Sequence, residues 1–509
     1  MGQEHVDVLI VGAGLSGIGA AHQLQHDCPT KSYAILEARD VIGGTWDLFR
    51  YPGIRSDSDM YTLGYRFRPY TGEKALADGP TILEYIRDTA REAGIDRKIR
   101  FHHKVVRADW SSNDRRWTVE AERTDTGERV KLTASFVYNC SGYYRYDKGY
   151  TPDWPGMARY QGQLIHPQFW PDKLDYRGKK VLVIGSGATA VTLVPSMADE
   201  AAHVTMLQRS PTYIVTVPGK DPLAGAMRKV LPEEVAYSIT RWKNVLLNLA
   251  VYQMSQRRPE LVKKGIRKML EQQLPPGYDI DTHFKPRYNP WDQRLCAVPD
   301  GDLFRTIREG KVSIVTDTIE TFTEKGVKLA SGQELEADII VSATGFTLQM
   351  MGGAELRVDG RLVSLADTMT YKGMMLSDVP NSCFTIGYTN SSWTLKADLV
   401  SEYFCRLLHH MDEKGYDVFV PRNRDASMKR TPLLDFGAGY VQRSIGGLPR
   451  QGSKWPWKLG MNYLVDVVKL RNGPVDDGVM EFEKAKVRVG ARESASPENA
   501  AARKPAVLH

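Results

Sequence analysis

Two glycine clusters locate the chemistry this chain could do. The first, Gly12-x-Gly14-x-x-Gly17, follows the apolar run Val6 to Val11 and opens a helix-like stretch. The second, Gly185-Ser186-Gly187-Ala188-Thr189-Ala190, follows Val181 to Ile184. Glycines after a strand let the backbone close on a pyrophosphate, whose charge meets the free N–H groups at the next helix N-terminus. The two clusters differ at the end of the next apolar run. Tyr33 to Leu36 ends on Glu37, about 20 residues past the first glycines, where a carboxylate accepts from ribose hydroxyls. Val204 to Leu207 ends on Gln208-Arg209-Ser210, and an arginine there matches a 2′-phosphate. The first unit therefore reads as holding FAD and the second NADPH. Together they imply redox chemistry.

Positioning these residues requires an α/β chain with two Rossmann-like dinucleotide-binding domains. The first domain is expected over residues 1–145, where the alternation in Arg115 to Glu122 and Val130 to Asn139 reads as hairpin strands around a Thr126-Gly127 turn. Residues 146–345 are expected to form the NADPH-binding domain. Its stretch 216–285, rich in Arg, Lys, Leu and Met, reads as a helical insertion. Cys140-Ser141-Gly142 and Ser342-Ala343-Thr344-Gly345 are matching small-residue turns where the chain would cross between domains, so residues 346–483 should complete the first. Residues 484–509 lack periodicity and read as a flexible tail.

Composition narrows the classes. The 509 residues allow about three domains, and 42% hydrophobic with 25% charged content is ordinary for a globular protein. Net charge is +7, spread along the chain, which gives no support to nucleic-acid binding. The five cysteines include no CxxC or other close pair, so neither a zinc site nor a redox dithiol is encoded locally. An odd cysteine count, with the first strand starting almost at the N-terminus, sets the expectation of a reducing cytoplasm. No apolar run reaches the length of a membrane span. Val245 to Val251, beside Arg241, Lys243, Arg257 and Arg258, reads first as an ordinary amphipathic helix and second as a peripheral membrane contact. Nothing in the sequence fixes the oligomeric state.

Between the clusters stand Gly44-x-Trp46, Tyr51-Pro52-Gly53 and Asp57; later comes Tyr160-x-Gly162-x-x-x-His166-x-x-x-Trp170-Pro171. Together these resemble the two signatures of type I Baeyer–Villiger monooxygenases, with Tyr160 replacing the usual leading Phe. Runs such as Thr45-Trp46-Asp47-Leu48-Phe49-Arg50 and Tyr288-Asn289-Pro290-Trp291-Asp292-Gln293-Arg294 are similar to a mycobacterial subfamily over nearly the whole chain. The resemblance implies an FAD- and NADPH-dependent enzyme that uses O2, through a C4a-peroxyflavin, to turn ketones into esters or lactones. Sulfur in thioethers or thioamides is a further implied substrate.

The resemblance also assigns roles. Arg294 becomes the cation beside the reacting oxygen, suited to it because a guanidinium keeps its proton and presents a rigid fork. Asp57 becomes its carboxylate partner; as a structural alternative, Asp57 and Ser58 could cap a helix. Ser16, Thr45, Trp46, Asp47 and Val105 are implied at FAD. Arg55, Ser56, Ser186, Ala188, Thr189, Val191, Arg209 and Ser210 are implied at NADPH. His166 and Trp170 fall in a linker with a conformational role, and Trp393 is divided between substrate pocket and core. One position departs: where many relatives have Lys before the catalytic Arg, this chain has Gln293, a loss worth roughly 1–3 kcal/mol of phosphate contact. Competing readings are a flavin-containing monooxygenase acting only on N or S, a disulfide reductase, which needs the absent cysteine pair, and a non-catalytic NADPH sensor.

Overall fold

The computed structural model describes residues 4–293, 295–434 and 437–484. The first strand β1 (His5–Val11) leads through a glycine turn into helix α1 (Leu15–Asp27) and then β2 (Tyr33–Leu36). β1 lies inside a nine-stranded sheet, parallel to β2 on one side and to β3 (Arg129–Asn139) on the other. Alternate residues of β1 feed separate cores: Val8 and Ile10 pack into one, Leu9 and Val11 into the other. Burial on both faces is why this strand is a continuous apolar run. Strands Glu355–Val358 and Ser382–Phe384, from far along the chain, also join this sheet.

The second sheet has five strands, all parallel. At its centre β4 (Lys180–Ile184) runs into helix α2 (Ala188–Met197) and on to its neighbour β5 (His203–Gln208). The pattern repeats: Val181 and Val183 enter one core, Leu182 and Ile184 another.

Between β5 and the last strands of this sheet the chain makes two longer helices, α3 (Glu233–Arg257) and α4 (Pro259–Gln273). α4 packs Ile266 and Leu270 into the second unit's core. α3 instead docks on the first unit. Tyr237 donates to Tyr65 O at 3.1 Å, and buried Arg241 donates to the carbonyls of Tyr61 and Gly64, both at 2.7 Å. The insertion thus straddles both units.

The sheet is finished by β6 (Ile339–Ser342), beside β4. After it Phe346–Leu348 pairs antiparallel with Tyr144–Gly149, so the chain's two crossings between units are hydrogen-bonded to each other. Late in the chain, helix α5 (Trp393–Lys414) is longer at both ends than the apolar run Leu395 to Leu408 indicates. Its buried Asp398 takes the second Arg241 nitrogen at 3.0 Å. Burial pushes the Asp398 carboxyl up to about 6, against the pull of Arg241. Of the tail expected over 484–509, Lys484 ends a strand, Met480–Lys484, and the rest lies outside the described residues.

Breaking one side of a buried ion pair leaves an uncompensated charge, a cost of about 3–5 kcal/mol. Arg241→Leu should therefore lower the thermal unfolding midpoint markedly. Adding Asp398→Leu should restore part of that loss in the double variant, measured by calorimetry.

Candidate active site

Each glycine turn is shaped by what lies behind it. Gly12 has φ +103°, and a Cβ there would sit 2.8 Å from Cys140 O; a Cβ on Gly17 would lie 1.9 Å from Gly12 O. In the second unit Gly185 has φ +141°, and its Cβ would lie 2.3 Å from Ala343 O. Both turns therefore press against the small-residue turns where the chain crosses between units. Gly187, by contrast, has open space where a Cβ would project.

A cavity of about 1010 Å3 runs between the sheets and is lined from both turns. The first unit contributes Gly12, Gly14, Ser16, Glu37, Gly44, Thr45, Trp46 and Val105. The second contributes Gly185, Ser186, Gly187, Ala188, Thr189, Arg209 and Ser210. Arg55, Ser56 and Asp57 lie on the wall between them, and Trp393 reaches in from α5. Arg294 lies outside the described residues.

Several expected residues serve this wall from behind. Gly17 closes the first turn. Ala190 and Val191 are core side chains beneath the second, and Trp170 packs against the same core. Asp47 is buried and holds three guanidiniums, Arg39 at 2.5 Å, Arg87 at 3.0 Å and Arg50 at 3.3 Å. It locks the segment carrying Gly44 and Trp46 rather than facing the cavity. The helix cap expected at Asp57 or Ser58 belongs to Asp59, whose Oδ1 accepts from Thr62 N at 3.0 Å. The cap falls there because Met60 is the first helical residue, leaving Asp57 on the cavity wall.

Glu37 is buried at the end of β2. Its Oε2 accepts from Ala13 N at 2.7 Å and its Oε1 from Arg39 N at 3.0 Å. Burial raises its carboxyl while these N–H groups pull it back. Each oxygen keeps lone pairs for further donors, the valence a ribose diol requires. Beside it, burial pushes the Tyr146 phenol up to about 12, keeping it a neutral hydrogen-bonding group next to Thr45.

At the second turn, Ser186 Oγ bonds Ser210 O at 3.1 Å and Thr212 Oγ1 at 2.9 Å, fixing the loop that presents Arg209. Arg55 donates from Nη1 to Asp302 Oδ2 at 2.6 Å, while its buried Nε and Nη2 have no hydrogen-bond partner. Such orphaned donors beside a cavity suit an anionic or carbonyl-bearing ligand. The open cradle at Gly187, the Glu37 lone pairs and these donors fit two bound dinucleotides.

Trp393 is tied down on both sides. Its Nε1 donates to Ser16 Oγ at 2.8 Å, and its ring stacks on Tyr143 with centroids 5.2 Å apart. It therefore braces the first glycine turn as well as lining the cavity. Sequence reasoning missed two groups here. Phe49, Tyr144 and Phe346 form an aromatic cluster on the wall, with Phe346 centroids 5.0 Å from each of the other two. Arg443, from the short helix Gly439–Ser444, lies over the Tyr150 ring at 3.4 Å and lines the same cavity as Arg209. The adjacent aromatics Tyr143-Tyr144 were a readable signal; Arg443 had none.

A model of flavin-binding monooxygenase-like proteins matches residues 75–386, and one of NAD(P)-binding Rossmann-like domains matches residues 10–72. The FAD-containing monooxygenase EthA of Mycobacterium tuberculosis is 57% identical over 488 residues, 96% of this chain and 99% of that protein. The chain belongs to the flavin-binding monooxygenase-like family. The resemblance drawn from the sequence motifs is borne out, and so is the α/β class with Rossmann-like domains. Among solved structures, an oxidized steroid monooxygenase bound to NADP shares the fold at TM-score 0.73 and 20% identity, covering 94% of this chain and all of that one. An open form of cyclohexanone monooxygenase does so at TM-score 0.73 and 21% identity, with the same coverage.

His166 stands at the joint between units rather than on the cavity wall. Its Nδ1 accepts from Gln168 N and its Nε2 faces Gly345 O, both at 3.2 Å, which selects the neutral Nε2–H tautomer. Burial lowers its pKa, opposed by the carbonyls of Gly345 and Tyr150. The unfolded imidazole takes up a proton near pH 6.5, the folded one only below that. This group's contribution to stability is therefore present above that pH and lost as pH falls through the folded pKa. NMR titration should place the His166 midpoint below 6.5, and His166→Asn should flatten the acid limb of the stability profile.

Proposed function

We propose that this family member is an FAD- and NADPH-dependent Baeyer–Villiger monooxygenase, converting ketones to esters or lactones with O2 and also oxygenating sulfur in thioethers or thioamides. The observation that carries the reading is the cavity itself. One chamber is lined by a glycine turn ending on Glu37 and by another ending on Arg209, with Arg55 and Asp57 between. When bound, the flavin supplies O2 activation and oxygen transfer, and the nicotinamide coenzyme supplies the hydride.

The chain's own groups divide the rest of the work. The Gly12–Ser16 turn and Glu37 would hold the pyrophosphate and ribose of FAD, with Thr45 and Trp46 at its ring system. The Gly185–Thr189 turn would hold the NADPH pyrophosphate, with Arg55 and Ser56 at its nicotinamide end. Phe49, Tyr144 and Phe346 keep water from the reacting centre. Arg294 would supply a permanent positive charge where negative charge develops on the ketone oxygen. Asp57, on the cavity wall, would serve as the carboxylate partner of that guanidinium. Gln293 and Cys296, flanking Arg294 in sequence, both line the cavity.

Coenzyme choice rests on Arg209 and Arg443. No described carboxylate pairs with either guanidinium, and burial, together with the charge of nearby Arg209, lowers the affinity of Arg443 for its proton, the arrangement an incoming anion relieves. The pair stands in for the lysine whose position Gln293 occupies. Arg443→Gln should weaken NADP+ binding about tenfold and leave NAD+ binding unchanged by calorimetric titration. Equal losses for both coenzymes would remove Arg443 from this role.

Arg294→Ala should leave flavin reduction by NADPH close to the parent rate while ketone oxygenation falls by about 100-fold or more. Ester formed at the parent rate by the variant would overturn the assignment of the cation. A parent enzyme that oxygenates amines and sulfides but no member of a ketone panel would favour the N- or S-only reading instead.

A further inference from the structure

We infer that the exposed face of α3 docks on the surface of an anionic lipid bilayer. Fifteen large apolar side chains stand exposed among the described residues, and ten of them lie between Leu223 and Leu261. Val235, Ile239, Trp242 and Leu246 follow one another at i, i+4, i+7 and i+11 along α3. At about 100° per residue they fall within one sector of about 60°. Trp242 packs against Tyr463, centroids 5.9 Å apart, and Val465 and Val468 are exposed on the turns that follow. The patch therefore extends beyond a single helix.

An apolar stripe of this length on a folded protein calls for a partner. Charge selects which. Residues 222–273 carry ten Lys and Arg against four Glu, a net +6 of the whole chain's +7. Lys229, Arg257, Arg258, Lys264 and Lys268 are exposed and pair with no described carboxylate. A second copy meeting this face about a twofold axis would set like charge against like. Anionic headgroups meet it with opposite charge, while aliphatic side chains and an indole enter the acyl boundary.

The opposite side of α3 explains why the helix can do this without unfolding. Tyr237, Thr240, Arg241 and Asn244 are buried there, and Asn244 donates to Asp59 Oδ1 at 2.9 Å. The stripe is thus presented on a helix already fixed to the protein. No helix among the described residues is long and apolar enough to cross a membrane, so contact would be with the interface.

Co-sedimentation of the flavin-loaded full chain tests this, using vesicles of phosphatidylcholine alone and of phosphatidylcholine mixed with phosphatidylglycerol. The parent should sediment with the mixed vesicles and be released by high salt. The variant I239S/W242S/L246S, none of whose positions lines the cavity, should keep its far-ultraviolet circular dichroism and bound flavin yet bind about tenfold less. Lys264→Glu with Lys268→Glu leaves the stripe intact and should abolish the preference for phosphatidylglycerol; this variant decides the matter should the serine variant misfold. A parent that stays in solution, or variants that sediment as the parent does, would overturn the proposal. So would a parent dimer that the serine substitutions split without any vesicle binding, since the stripe would then cover itself.

Discussion

The contact on which the architecture turns is between backbone and backbone. Each dinucleotide turn lies within van der Waals reach of the segment that carries the chain from one unit to the other, Gly12 on Cys140 and Gly185 on Ala343. A side chain at either glycine would enter a carbonyl group. The usual account of such glycines concerns approach to a phosphate. Here the same two residues also let the crossing segments pass directly behind the turns. Since those segments pair with each other through Tyr144–Gly149 and Phe346–Leu348, both nucleotide turns rest on one small hinge sheet. The shared cavity is the direct result.

That arrangement lets the acidic and basic ends of the two units do different work within one chamber. Glu37 is held as a buried acceptor by backbone donors, a cost covered locally by Ala13 and Arg39. Arg209 is left exposed, with no described carboxylate paired to it, and Arg443 lines the same cavity from another part of the chain. In the function proposed above, the first site offers acceptors to ribose hydroxyls and the second offers cations to an anion. Asp47 shows the same economy: rather than meeting a ligand, it gathers Arg39, Arg50 and Arg87 and holds rigid the loop that bears Gly44 and Trp46.

What the sequence made legible was whatever depends on short spacing. Strand, glycine turn, helix and the residue closing the next strand all lie within a few dozen positions, so both nucleotide units and their unlike ends could be read directly. The small-residue crossings were legible for the same reason, as apolar strands running into Cys140-Ser141-Gly142 and Ser342-Ala343-Thr344-Gly345. Less so were the features set by distant parts of the chain. Arg443 reaches the second turn from over 230 positions away, with no motif of its own. Trp393 looked like either pocket or core because its hydrogen bond to Ser16 spans two units of sequence with no shared pattern. Asp57 and Asp59 are both acceptable caps by residue type, and only the backbone path selects the second. The apolar stripe of α3 was seen as hydrophobic content, but which face it would occupy depends on Arg241 finding Asp398.

That last pairing also ties the two units together. α3 is anchored on the first unit by Arg241, Asn244 and Tyr237, whereas α4, one residue later, is sunk in the core of the second. The two helices thus tie the units together on either side of Arg258, the single residue joining them, and the paired crossing strands tie them again. His166 sits at that second place, bonded to Gly345 where the chain returns to the first unit. Its neutral ring accepts on one side and donates on the other, so the joint holds without placing a charge in a buried position. On the first unit's side of the cavity, Asp47 gathers three guanidiniums and Trp393 bonds Ser16, so that wall is held from within its own unit.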